Sequence, residues 1–292
     1  MKYLETDRRR TGRASPTRFG SAEPVAKDRL ARQFGAVAHR YDLVTPVQRA
    51  MGRQLLDSVV RQQAGAPVRR ILEVGCGAGA LTRQLRALFP EAAFTAIDFS
   101  KGMIDEARRN APGVRFICCD GETYADRTAA PFDLIVSNAT VQWFSDPAGA
   151  VRRYRALLSD AGMLALATFG DRTFSELNES FEAAYRELGR APQRHVMPMR
   201  PFSYWQSIFA DATCTETLYP VRYPDVRSFL RAVQRAGASY TSAAERPLSR
   251  AVLERMTMLY QRRFPADDGT GIRVTYHGIQ LLVRSERRSL RE

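Results

Sequence analysis

Long apolar runs are missing from this 292-residue chain. No stretch approaches the roughly 18 consecutive apolar residues that a membrane-crossing helix needs, which excludes a span of that kind. Met1 to Gly20 lack the apolar segment of a secretory signal. Cysteine is scarce: Cys76, Cys118, Cys119 and Cys214 include no C-x-x-C pair, and His39, His195 and His277 are scattered. Zinc-ligand spacing is therefore absent and no metal is expected. Reduced, buried thiols in a cytoplasmic protein are the expectation. The 19 Gly and 15 Pro are too few for a low-complexity or collagen-like chain. Acid is short as well: 31 Asp and Glu stand against 44 Lys and Arg, a net charge of +13. A surplus of that size predicts an acidic partner, whether nucleic acid, an anionic membrane or an acidic protein, and is silent about the fold.

What is present is ordinary globular composition, 45% hydrophobic and 26% charged, in a length that suits one large domain or two small ones. Residues 1–25 carry Lys2, Arg8, Arg9, Arg10, Arg13 and Arg18 with few apolar side chains, and read as a disordered basic arm. From Lys27 to Gln63, apolar residues recur at helical spacing (Leu30, Phe34, Val37, then Val47, Met51, Leu55, Val59), which predicts two helices broken near Asp42 to Pro46. Then the period changes. Arg69 to Val74 is a predicted strand running into Gly75-Cys76-Gly77-Ala78-Gly79. A helix with Leu81, Leu85 and Leu88 on one face follows and ends at Pro90. A second strand, Phe94 to Ile97, ends in Asp98, and Ser100 is placed to N-cap the next helix. A third, Val114 to Cys119, ends in Asp120; a fourth, Phe132 to Val136, ends in Ser137-Asn138. A helix from about Pro147 to Leu158 and a turn at Asp160-Ala161-Gly162 precede a fifth strand, Met163 to Phe169. Helical stretches at 171–213 and 226–263 flank a sixth strand, Cys214 to Arg222, before a seventh, Arg273 to Arg284.

Strands alternating with helices predict βαβ units and a parallel sheet, an α/β fold whose ligands lie beyond the carboxyl ends of the strands. Those ends carry the glycine run, Asp98, Asp120 and Asn138, and acids at successive strand ends are hard to explain as packing. Glycine permits positive φ and close approach of a ligand to the backbone. The spacing is G-x-G-x-G, a poor fit to the dinucleotide fingerprint. Glu73, two residues before the first glycine, would repel a phosphate and suits a cationic ligand.

This combination resembles the S-adenosylmethionine-dependent class I methyltransferases. The resemblance implies a Rossmann-like, mostly parallel seven-stranded sheet with helices on both faces. It also implies one methyltransferase domain over 26–285, helical lid insertions at about 171–213 and 226–263, and a tail at 286–292. By it, S-adenosyl-L-methionine is the cofactor. Gly75, Gly77 and Gly79 pass beside its methionine part, and Glu73 and Asn138 also belong to the cofactor site. Asp98 takes the ribose hydroxyls, Met103 packs on the adenine, and Asp120 takes the adenine amine with Gly121 and Glu122 beside it.

After the fourth strand, many methyltransferases of nucleic-acid amino groups carry an Asn/Asp-Pro-Pro-aromatic motif. Here Ser137-Asn138-Ala139-Thr140-Val141-Gln142-Trp143 stands instead, which disfavours nucleic acid as the partner despite the charge. That run is similar to malonyl-acyl-carrier-protein O-methyltransferases of biotin synthesis. Phe34-Gly35-Ala36-Val37-Ala38-His39-Arg40-Tyr41-Asp42, Phe169-Gly170, Leu177 with Ser180-Phe181, Val226 to Leu230 and Thr275-Tyr276 resemble other segments of that family. The resemblance implies O-methylation of a malonyl carboxylate on acyl carrier protein, with no membrane partner. Tyr41 would orient the carboxylate, and Gln142 and Trp143 would belong to the catalytic wall. An arginine is expected to steer the carboxylate, with Arg200, Arg222, Arg273 and Arg284 as candidates. The residues also leave open another small carboxylate, a quinone precursor or RNA as acceptor, hydroxylation on the same scaffold, or a cofactor-binding assembly factor without turnover.

Overall fold

The computed structural model describes residues 27–63, 67–128, 131–237 and 247–285. The arm expected at 1–25 and the tail at 286–292 lie outside the described residues. Helix α1 (Lys27–Val37) buries Leu30, Phe34 and Val37 along one face. A 3-10 turn at Ala38–Arg40 and a one-turn helix, α2 (Tyr41–Val44), lead to α3 (Pro46–Gln63). The break falls at Pro46, which has no N–H to donate and is suited to the first position of a helix.

The core of the chain then alternates: β1 (Arg70–Val74), α4 (Ala80–Leu88), β2 (Ala93–Asp98), α5 (Lys101–Asn110), β3 (Arg115–Cys118), α6 (Gly121–Tyr124), β4 (Phe132–Asn138), α7 (Pro147–Ala156) and β5 (Leu158–Phe169). It continues with α8 (Ser175–Glu187), α9 (Phe202–Gln206), β6 (Thr213–Tyr223), α10 (Val226–Arg235), α11 (Arg250–Arg263) and β7 (Ile272–Arg284). The sheet order is β3-β2-β1-β4-β5-β7-β6. Strands β1 to β5 pair in parallel, and β7 runs antiparallel to both β5 and β6. The period of two divides each strand between two cores. Ile71, Leu134 and Met163 join the cluster under α3 and α4, whereas Leu72, Ile135 and Leu164 join the cluster under α7 and Trp205. Sequence order reverses between β1 and β4. The loops that follow these two strands therefore open a crevice between them, the usual ligand site of such sheets.

Three local details differ from the sequence expectation. The fifth strand begins at Leu158, which pairs with Phe132, and a register shift before Leu134 stands where a turn at 160–162 was expected. Ser100 occupies the cap position of α5 without a side-chain cap. Its hydroxyl donates instead to Ala31 O (2.9 Å), tying α1 to α5, while its N–H donates to Asp98 Oδ1 (2.8 Å). Within 171–213 only α8 and α9 are helical; Pro192, Pro198 and Pro201 deprive the intervening segment of donors. Together α8, α10 and α11 form a third apolar cluster with the start of β7, centred on Phe181, Phe229, Met256 and Tyr260. Among the described residues no helix is long and apolar enough to cross a membrane, and no group of three or more His, Cys, Asp or Glu is placed to hold a metal ion.

Candidate active site

The loop after β1 holds Gly75, Gly77 and Gly79 at positive φ (76°, 54° and 94°). At Gly75 a Cβ would lie 2.0 Å from Thr140 Oγ1, so only glycine lets the β1 and β4 loops touch. At Gly77 an added Cβ would meet only the Tyr41 ring within 4 Å, at 3.7 Å, so this backbone faces open space. Three adjoining cavities open here, of about 80, 240 and 20 Å³, and Trp143 lines all of them.

The first cavity lies over the glycine loop and is lined by Glu73, Gly75, Gly77, Asp98, Met103 and Asn138, among others. Gly79 does not line it and instead packs α4 against Ala107 of α5. Asp98 is buried, and burial pushes its carboxyl up to about 6 against the opposing pull of the Ser100 and Gly77 N–H groups. Oδ1 accepts from Ser100 and Oδ2 from Gly77 (3.0 Å), which fixes the carboxylate and leaves each oxygen capacity for a further donor. Glu73 is 1% exposed; burial pushes it up to about 8, partly offset by the Thr82 hydroxyl that donates to Oε2 (2.6 Å) and reinforced by Asp98. Burial thus favours its protonated form. Asn138 donates from Nδ2 to Gln48 O (2.9 Å), and its Oδ1 is buried without a partner. Met103 packs with Leu30, Phe34, Ala38 and Ala78, beneath α1.

The smallest cavity is lined by Leu30, Phe99, Phe144, Asp98, Asp120 and Gly121, among others. Asp120 caps α6 by accepting from Glu122 N (2.9 Å). Its other oxygen pairs with Lys27 Nζ (2.7 Å), which also reaches Glu122 Oε2 (2.5 Å). Glu122 in turn accepts from the N–H groups of Ser145 and Asp146, and the Tyr154 hydroxyl donates to Gly121 O. Lys27 is the residue that sequence reading missed: its partner is 93 residues away, and no local pattern signals the pairing.

The largest cavity runs from Tyr41, Gln142 and Trp143 to Phe174, Leu177, Met197 and Leu230. No Lys, Arg, Asp or Glu is among its described lining residues. None of the four candidate arginines for the carboxylate is among these lining residues. Arg222 pairs with Asp268, Arg273 with Glu176, and Arg284 donates to the Ala161 and Gln62 carbonyls, while Arg200 stacks on Tyr204. Gln142 has both ends of its amide committed, donating to Ala139 O (2.7 Å) and accepting from the Thr168 hydroxyl (3.0 Å). Phe34 packs edge-on against Trp143 (5.8 Å) and Tyr41 (6.0 Å), closing the boundary between the two larger cavities. Tyr41 lines both, and burial, with Asp98 and Asp42 nearby, raises its hydroxyl well above the usual range, so it remains a donor. His277 lies elsewhere, fully buried in β7 with Glu216 and Arg172 (3.1 Å each).

These residues fit S-adenosylmethionine. A fixed, buried carboxylate with spare acceptor capacity suits a ribose diol, the orphaned Asn138 oxygen suits an ammonium, and an apolar slot ending in Asp120 suits an adenine.

Residues 71–162 match the family model described as a methyltransferase domain. The chain is 36% identical over 273 residues to the malonyl-[acyl-carrier protein] O-methyltransferase of Halalkalibacterium halodurans, covering 89% of this chain and 99% of that protein. It is 34% identical to the protein of the same name from Bacillus anthracis, covering 90% of this chain and 98% of that one. The structure of the YcgJ protein from Bacillus subtilis superposes with a TM-score of 0.52 at 17% identity, over 80% of this chain and 99% of that one, a likeness of fold alone. With relatives above 30% identity matched along almost their whole length, the chain belongs to the malonyl-[acyl-carrier protein] O-methyltransferase family.

Proposed function

We propose that this enzyme methylates the free carboxylate of a malonyl thioester carried by acyl carrier protein, an early step of biotin synthesis. The observation that supports the reading is the join at Tyr41, Phe34 and Trp143 between the cavity over the glycine loop and a larger apolar one with no lysine or arginine among its described lining residues.

When bound, S-adenosylmethionine supplies an electrophilic methyl group. The chain's own part is to hold and to shield. Asp98, Asp120 and Asn138 fix the donor, with Gly75 and Gly77 allowing it to approach the backbone and Met103 and Gly121 flanking it. Glu73 sets the strand end through Thr82. The acceptor carboxylate has an ordinary pKa near ~4 in water and enters as the anion; an apolar cavity pushes that value up, and the positive charge of the bound sulfonium would offset the push, so no general base is needed. Tyr41 donates its hydroxyl to one carboxylate oxygen and orients the other. Gln142 positions the loop that carries Trp143, and Trp143 walls out water. With no lysine or arginine among the described lining residues, the carboxylate is weakly solvated and more nucleophilic.

The test is transfer of labelled methyl from S-adenosylmethionine to a panel of acceptors. Malonyl-carrier protein is expected to be the best acceptor, free malonate a poor one, and RNA and quinone precursors inert. Efficient labelling of RNA or of a quinone precursor, with none on malonyl thioesters, would overturn the reading.

A further inference from the structure

Helix α10 has two faces with different occupations. Its inner side supplies Leu230, Val233 and Ala236 to the wall of the largest cavity, and Phe229 and Val226 to the cluster behind it. Its outer side carries Arg227, Arg231 and Arg235, all exposed. At about 100° per residue these three fall within an arc of about 80°, opposite the apolar side, and at about 1.5 Å rise they span about 12 Å. No acid interrupts the helix; Asp225 precedes it and is occupied in capping Ser228 N (2.6 Å). Four other arginines near this end of the molecule are neutralised locally: Arg255 by Glu187, Arg263 by Glu179, Arg250 by Glu254, and Arg222 of β6 by Asp268. None of the three arginines of α10 makes an ion pair with a described residue. Exposed Arg40 and Arg194 add to the positive rim, each next in sequence to a lining residue, Tyr41 and His195.

We propose that this outer face of α10 is the docking surface for the acidic protein that carries the acyl group. The proposal rests on the functional reading above and adds the place of contact. A thioester on a long arm must thread into the large cavity while its carrier stays outside. A carrier seated on α10 sits one helix thickness from that cavity. The complementarity is of charge: a row of guanidinium groups that make no ion pair with a described residue, with only the Asp225 carboxylate near two of them, matches a row of carboxylates on a partner helix, and it raises encounter rate more than intrinsic affinity.

The test compares wild-type enzyme with the triple variant Arg227→Glu, Arg231→Glu, Arg235→Glu on two acceptors. One is malonyl-carrier protein; the other is malonyl-N-acetylcysteamine, which has the thioester and no protein. For the carrier, kcat/KM is expected to fall at least about tenfold at about 50 mM salt, mostly through the association rate, with the deficit shrinking near 500 mM as charges are screened. For the small thioester it is expected to stay within about twofold, which also shows that the cavity is intact. Equal losses on both acceptors would mean that α10 acts through the cavity, and no loss on either would mean the carrier docks elsewhere; each overturns the proposal. Wild-type enzyme that turns over neither malonyl thioester overturns the functional reading itself.

Discussion

Asp98 and Glu73 are the two carboxyl groups whose environment sets their chemistry. Asp98 was legible as an acid closing a short apolar strand, but its anchoring by the Gly77 and Ser100 amides was not, since those contacts depend on the glycine loop folding back over β2. Asp98→Ala should lower affinity for S-adenosylhomocysteine at least tenfold by calorimetry, since each hydrogen bond to a charged acceptor contributes roughly 1.5–3 kcal/mol. The fold should persist by circular dichroism; unchanged affinity would place the ribose elsewhere. Glu73 suggested a cation-binding acid from its position, whereas the structure buries it with Thr82 as donor. Its folded-state value of about 8 lies above the ordinary 4.5. Between those values the unfolded chain has lost the proton that the folded chain keeps, so this group makes stability fall as pH rises. Glu73→Gln should therefore gain on wild type from about pH 5 to about pH 8, by roughly a few kcal/mol at ~1.4 kcal/mol per pH unit, in urea unfolding of the apo protein. A stability difference constant across that range would show that Glu73 is ionised throughout.

At the scale of elements, α1 covers the cavities proposed to hold the cofactor. It lies across α5 where Gly35 meets Gly102: a Cβ on Gly102 would be 2.7 Å from Gly35 Cα. This lets Leu30 and Phe34 reach the cavities below. Its first residue, Lys27, pins that end to Asp120 and Glu122. Lys27→Met should leave the fold intact and speed release of S-adenosylhomocysteine about fivefold in stopped flow, the equivalent of about 1 kcal/mol for a partly exposed pair. An unchanged release rate would mean that this end of α1 does not restrain the ligand. The helix itself was readable from Leu30, Phe34 and Val37, as the strands were from short apolar runs. Its placement was not, because glycine at 35 and 102 becomes informative only once two helices are known to cross. The segment between α8 and α9 failed for a different reason. Its apolar residues, Val196, Met197 and Met199, face the cavity from irregular backbone, and a periodicity scan has nothing to find there.

For the molecule as a whole, the charge of +13 pointed to an acidic partner without saying which, and the missing Pro-Pro motif after β4 turned the choice from nucleic acid toward protein. Among the described residues no lysine or arginine lines the large cavity, while Arg227, Arg231 and Arg235 stand exposed on the outer face of α10, which fits a role for the surplus in encounter. An arginine at the carboxylate would neutralise the anion, and none of the four candidates is among the described lining residues. A nucleophile works better when left less solvated. The central claim, methyl transfer to that carboxylate on a carrier protein, is tested most directly by intact-protein mass spectrometry of malonyl-carrier protein after incubation with enzyme and S-adenosylmethionine. The account predicts a gain of one methyl that leaves the carrier together with the malonyl group when the thioester is cleaved, and no gain when the carrier bears acetyl in place of malonyl. A malonyl-carrier protein of unchanged mass, or a methyl group that appears equally on the acetyl form, would contradict it.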